Sequence, residues 1–220
     1  WFPQTFILYE GGAMPRLEGQ IVVGMALTNR VQASQVIPEG STFRTVDKEA
    51  LITTEEKSFR PVDIEQGPDG AIYVADWSDL RLSHLNPKDT WDKGTGRLFR
   101  IVPEGFRRPV VRDLRKLATP ELLALMGDPN RELREQARQL LALRPEPIAP
   151  ELERRVAAND PTALEAFWVL NLRGELGDAA LRRALRHPNA HVRRWAVRLL
   201  GDRNGVSAAA LSDLVALAKT

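Results

Sequence analysis

Asp76, Asp79, Arg81 and His84 fall within nine positions, DWSDLRLSH, and Arg97 follows a short way along the chain. These residue types allow three kinds of chemistry. His84 could act as a general base, because an unperturbed imidazole titrates near pH ~6.5 and a nearby carboxylate could orient it. Asp76 and Asp79, with backbone carbonyls, could supply some of the roughly six to eight oxygens that Ca²⁺ takes, although their spacing is not that of a helix–loop–helix calcium site. Arg81 and Arg97 could hold a carboxylate-rich cofactor by bidentate pairing. A fourth reading needs no reaction: Asp–Arg and Asp–backbone bonds fasten a long loop, with Trp77 and Trp91 inserted into the core. No catalytic motif of fixed spacing is present, and the absence of a serine or cysteine nucleophile elbow leaves a triad unsupported.

The elements that must position these residues read as strands. The runs TFILYE, QIVVGMAL, RVQASQVI, STFRTV, PVDIEQ, AIYVADW and RLFRIV are β-rich and separated by Gly, Pro and Asp. Several alternate as half-buried antiparallel strands do. Gly67-Pro68-Asp69-Gly70 is a hairpin signal between PVDIEQ and AIYVADW. Asp63 then lies on one strand and Asp76 at the end of the next, while Asp79, Arg81, His84, Asp89 and Asp92 fall in a connection of ~20 residues. So long a loop is functional or well packed internally. Ile72 and Val74 point to one face of their strand and Tyr73 and Ala75 to the other, and all four are apolar, which implies a sheet covered on both faces. Sheets stacked on both sides suggest a β-propeller with blades of ~40–45 residues, of which residues 1–105 supply only the last two or so. The earlier blades are then expected upstream; the other possibility is a small sandwich.

After residue 105 the period becomes helical. DPNRELREQARQLLAL and HPNAHVRRWAVRLLGD align at an offset of 59, and NDPTALEAFWVLNLRG between them is a more diverged copy. Helix pairs of roughly 30 residues stacked in this way imply an α-solenoid of HEAT-like repeats over residues 106–220. Asp/Asn-Pro steps should cap the helix starts, Ser207 should open the final helix, and Gly174 and Gly201 should close two others. Trp168 and Trp195 read as packing between repeats, and Arg134 and Arg193, at one repeat position, as bridges to acidic groups.

Composition sets outer limits. The chain lacks Cys, which excludes disulfides, thiolate metal sites and covalent c-type haem attachment within it. No run of ~18 apolar residues suggests a membrane span. Residues 1–105 carry 11 Lys/Arg against 15 Asp/Glu, and residues 106–220 carry 20 against 14. This asymmetry favours two domains. The arginines are spread along helices without a basic stripe or interleaved aromatics, so nucleic-acid binding is not expected. Opening on Trp1, with neither initiator Met nor signal peptide, the chain reads as a mature product or an excised piece.

The stretch FRPVDIEQGPDGAIYVADWSDLRLSHLNPKDTWDKGTGRLFRI closely resembles the last propeller segment of large exported bacterial proteins labelled membrane-bound dehydrogenases. Those proteins are similar to quinoprotein glucose/sorbosone dehydrogenases, with HEAT-like repeats following the propeller and often a cytochrome c domain. The resemblance covers roughly residues 20–205. It implies a periplasmic or cell-surface protein, part of a sugar or alcohol dehydrogenase using pyrroloquinoline quinone and calcium, with the helices as a docking or spacer module that takes a protein partner. Such chemistry needs a base, a Ca²⁺ and cationic side chains on the quinone carboxylates. Asp76 and His84 are then the catalytic candidates, Arg81 and Arg97 the cofactor-binding ones, and Asp76 and Asp79 the calcium ligands. Without the upstream blades and a Cys-x-x-Cys-His the piece alone should be inactive. The rival expectation is a non-catalytic scaffold that binds protein or glycan.

Overall fold

A computed structural model of the chain describes residues 4–81, 87–203 and 205–219. Two compact units emerge. The β unit comprises residues 1–112 with 129–132, and the helical unit comprises 113–128 with 133–220.

In the β unit all seven β-rich runs form strands. β1 (Thr5–Leu8), β2 (Gln20–Met25), β3 (Arg30–Glu39) and β4 (Thr42–Thr53) make a four-stranded antiparallel sheet in sequence order. β5 (Pro61–Gln66), β6 (Ile72–Asp76) and β7 (Arg97–Ile101) make a three-stranded one. Both sheets supply one core: Val22, Val31 and Ala33 from the first meet Ile64, Ile72 and Val74 from the second, and Phe59 packs edge-on against Phe99. The GPDG turn forms as its residue types require. Gly70 adopts φ +76°, a left-handed conformation that suits glycine, and its N–H donates to Gly67 O at 2.9 Å. Tyr9, fully buried, holds this turn to the loop after β1: its hydroxyl donates to Gly70 O at 2.6 Å and accepts from Met14 N at 2.9 Å. Burial pushes the phenol pKa up, so the hydroxyl keeps the proton it donates.

The expected propeller blades and HEAT-like solenoid are not what forms. The β unit consists of two small antiparallel sheets, with no ring of blades, and the helical unit of seven helices among the described residues. The misreading traces to AIYVADW: Ile72 and Val74 are buried in the core, but Tyr73 and Ala75 are only half-buried, and Tyr73 turns its hydroxyl to Asp69 Oδ2 at 2.8 Å. Apolar residues on both faces of a strand therefore did not mean a second stacked sheet.

The helices are α1 (Thr119–Leu125), α2 (Arg131–Leu143), α3 (Ala149–Ala157), α4 (Ala163–Leu172), α5 (Asp178–Ala184), α6 (Ala190–Gly201) and α7 (Ala208–Leu217). Their core runs through Leu122, Leu141, Leu152, Phe167, Leu181, Val192 and Leu199. The internal similarity has a physical counterpart. Asn130 Oδ1 accepts from Glu132 N at 2.9 Å and Asn189 Oδ1 from His191 N at 2.8 Å, so the cap is the Asn after each proline and not the residue before it. Arg134 reaches back to Asp128 O at 2.9 Å, and Arg193 makes the same reach to His187 O at 2.7 Å. Arg134 also lies 3.5 Å from Glu165 of α4, a bridge to an acid. Trp168 and Trp195 meet edge to face at 5.2 Å. Ser207 caps α7, and Gly174 closes α4 with φ +70° while Glu175 N donates to Leu170 O. Gly201 instead lies inside α6, whose cap is Asp202.

Tyr9→Phe leaves the buried Met14 N without its acceptor, while Gly70 O keeps only the Ala13 amide as donor. We expect the β unit to lose about 1–3 kcal/mol, read as a lower urea midpoint at unchanged slope; an unchanged midpoint contradicts the role assigned to the hydroxyl.

Candidate functional site

Asp76 is the last residue of β6 and stands opposite Pro61 of β5 and Arg97 of β7. Sheet register thus sets an acid directly across from a base, the arrangement that favours a cross-strand ion pair. Asp76 is only 3% exposed, and each of its oxygens is engaged. Oδ1 accepts from Arg60 N at 2.6 Å and Ser78 N at 2.9 Å; Oδ2 accepts from Arg97 Nε at 2.7 Å. The far side of the Arg97 guanidinium reaches Glu56, whose Oε2 accepts from Nη1 at 3.1 Å. Hydrogen bonds from Arg97 and then Ser58 hold the Glu56 carboxyl below its ordinary range, and the bonds to Glu56 and Asp76 raise Arg97 in turn.

Asp79 works the same way on the loop that follows. Its Oδ1 accepts from Arg81 N at 2.8 Å and its Oδ2 from Asp92 N at 2.9 Å, so one buried carboxylate closes both ends of the connection. Ser78, between the two acids, sits at φ +55°, and Thr95 Oγ1 donates to its carbonyl at 3.1 Å. A non-glycine residue there costs about 1–2 kcal/mol, which the surrounding bonds offset. Arg81 lies over the Trp91 ring at 4.2 Å and donates to Lys88 O at 2.9 Å. His84 lies outside the described residues.

Two participants were not singled out from sequence. Arg60, 5% exposed, donates to Ala26 O at 2.9 Å, and burial lowers its pKa while the charges of Asp76 and Asp79 oppose that shift. Glu56 precedes β5 in an ordinary polar turn. The signal for both was weak, since an arginine before Pro61 and a glutamate in a turn are common. Trp77 also departs from expectation. It is 50% exposed, meets Trp91 edge to face at 6.3 Å, and lines a hollow of about 250 Å³ with Val62, Asp92 and Lys93.

This donor set does not fit calcium. The groups facing Asp76 and Asp79 are N–H donors and a guanidinium, which complement carboxylates, whereas Ca²⁺ needs converging oxygens. Among the described residues no group of three His, Cys, Asp or Glu side chains converges either. A quinone carboxylate fits poorly as well, because Arg97 gives its fork to Glu56 and Asp76 and Arg81 is laid on Trp91.

Fold and site define a two-unit protein in which a carboxylate-stapled loop crosses the end of a small antiparallel sheet. Residues 4–105, which span all seven strands, match the model of a family described as a domain of unknown function (DUF7133). No curated protein and no solved structure matches the chain.

Asp76→Ala strands the buried Arg60 and Ser78 amides and leaves Arg97 paired with Glu56 alone, at a cost of about 1–3 kcal/mol for each amide left without its acceptor. Asp76→Asn keeps an acceptor for the amides and should cost less; equal losses in thermal or urea unfolding contradict the assigned bonding. The loop should also respond to acid. Glu56 and Asp92 both have folded values below their ordinary 4.5 and 3.8, the latter chiefly through the Gly94 N–H. Their contribution is therefore present above those values and is lost as pH falls through the lower folded ones. Protection factors across residues 87–96, taken relative to the intrinsic exchange rate at each pH, should fall as the pH drops through this range; protection that stays flat down to the folded values contradicts it.

Proposed function

We propose that this chain is a non-catalytic binding scaffold whose β unit recognises a glycan through the surface beside the 76–96 loop. The observation that supports this reading is how the reactive groups are used. Both oxygens of Asp76 and of Asp79, and the Arg97 fork, are committed inside the protein, whereas Trp77 is half exposed. A sugar ring has an apolar C–H face suited to an indole and hydroxyls suited to a carboxylate and an ammonium such as Asp92 and Lys93 lining the same hollow. Ligand sites commonly combine an apolar surface with a few polar groups in this way. The dehydrogenase reading assigns Asp76 and His84 to catalysis and requires pyrroloquinoline quinone and calcium, and the sugar it would oxidise belongs to the same chemical class.

The test is calorimetric titration of oligosaccharides of varied composition into the full chain and into Trp77→Ala. Binding of at least one class, lost on Trp77→Ala while the thermal midpoint stays within a degree or so, supports the scaffold reading. A quinone-plus-Ca²⁺ absorbance titration that saturates stoichiometrically, with Asp76→Asn abolishing it, overturns that reading in favour of the dehydrogenase.

A further inference from the structure

The helical unit carries a feature unrelated to the loop of the β unit, a half-open groove of about 560 Å³ lined by α3, α4 and α5. The buried Phe167, Leu170 and Leu176 give it an apolar interior. Its exposed charges are unequal: Arg154, Arg183 and Arg186 stand along it against the single acid Glu153. Arg154 is answered by Glu151 at 2.8 Å and Arg186 by Asp213 at 2.7 Å, while the Arg183 guanidinium has no hydrogen-bond or ion-pair partner among the described residues. The Arg154–Glu151 pair is largely exposed and such pairs contribute little to stability, so that guanidinium can turn to an incoming carboxylate, whereas Arg186 is held by the nearly buried Asp213. The imidazole at the end of the groove cannot supply negative charge. His187 accepts from Asn189 N through Nδ1 and faces Val156 O through Nε2 at 2.8 Å, which fixes the Nε2–H tautomer.

We propose that this groove docks an amphipathic helix of a protein partner, with leucine-like residues on the groove-facing side and Asp or Glu on its flanks. Shape and charge both enter. An open trough walled by helices admits a rod with apolar residues at i, i+3, i+4 and i+7, and the arginine excess along it selects acidic flanks over basic ones. The partner expected on the helices thereby acquires a chemistry, independently of glycan binding by the β unit.

The probe is a fluorescein-labelled peptide of about 15 residues, leucines at that spacing and glutamates elsewhere, titrated into the full chain by anisotropy. Saturable binding is expected, with hydrogen-exchange protection appearing in residues 150–157 and 178–188. Arg183→Glu should weaken it about fivefold or more, and added salt should weaken it too. Ala157→Phe, at an exposed position on the groove wall, should weaken it by filling space without disturbing the core, and Trp77→Ala should leave it unchanged. Equal affinity for the peptide with lysines in place of glutamates, or indifference to both Arg183→Glu and Ala157→Phe, overturns the proposal.

Discussion

The β unit is organised around one buried carboxylate. Asp76 binds the backbone entering β5, the backbone leaving β6 and the side chain opening β7, so three segments distant in sequence share a single anion. Burying a charge is tolerated only when it is paired and hydrogen-bonded, and here the sheet register itself delivers the cation. The exit of the chain from β6, the left-handed turn at Ser78 and the start of the long connection all depend on that arrangement. Asp79 then repeats the device a few residues on and gathers the returning end of the connection.

Such use of polar groups separates positioning from chemistry. A catalytic acid or base must be free to exchange a proton or meet a substrate, and a metal ligand must present lone pairs to a cation. Asp76 and Asp79 present their lone pairs to amides and arginine instead. The loop exposes apolar side chains: Trp77 remains half in solvent while Trp91 meets it from the side and carries Arg81 on its face. The same division holds in the helical unit, where Arg134 and Arg193 are consumed by the carbonyls that precede their own helices and Arg183 is left facing solvent.

Much of the local structure was legible in the sequence because its causes are local. β-rich runs broken by Gly, Pro and Asp marked seven strands, the GPDG step marked a hairpin, and Ser207 and Gly174 marked helix ends through their own side chains or lack of one. Sheet assembly was not legible, since the number of strands per sheet depends on which edges meet, and Tyr73 looks the same whether a second sheet or an aspartate covers it. The same limit applied to the site. The loop-fastening use of Asp76 and Asp79 follows from residue type, but the identity of the donors does not: Arg60 takes part through its backbone and Glu56 through the far side of Arg97, neither of which leaves a pattern. Trp77 was misplaced because a tryptophan beside a strand is more often buried than offered.

α4 has a consequence for how the helical unit comes apart. Ala163, Ala166, Phe167, Val169 and Leu170 are all buried along one side of the helix, and Glu165 is the sole charged residue among its ten. A helix this short and this apolar has no stable existence in water by itself. It can be helical only while its neighbours enclose it, and they in turn lose their common surface when it leaves. Partial opening of this unit should therefore begin at its ends, and the exchange of amides in α4 reports the free energy of losing the whole helical core at once.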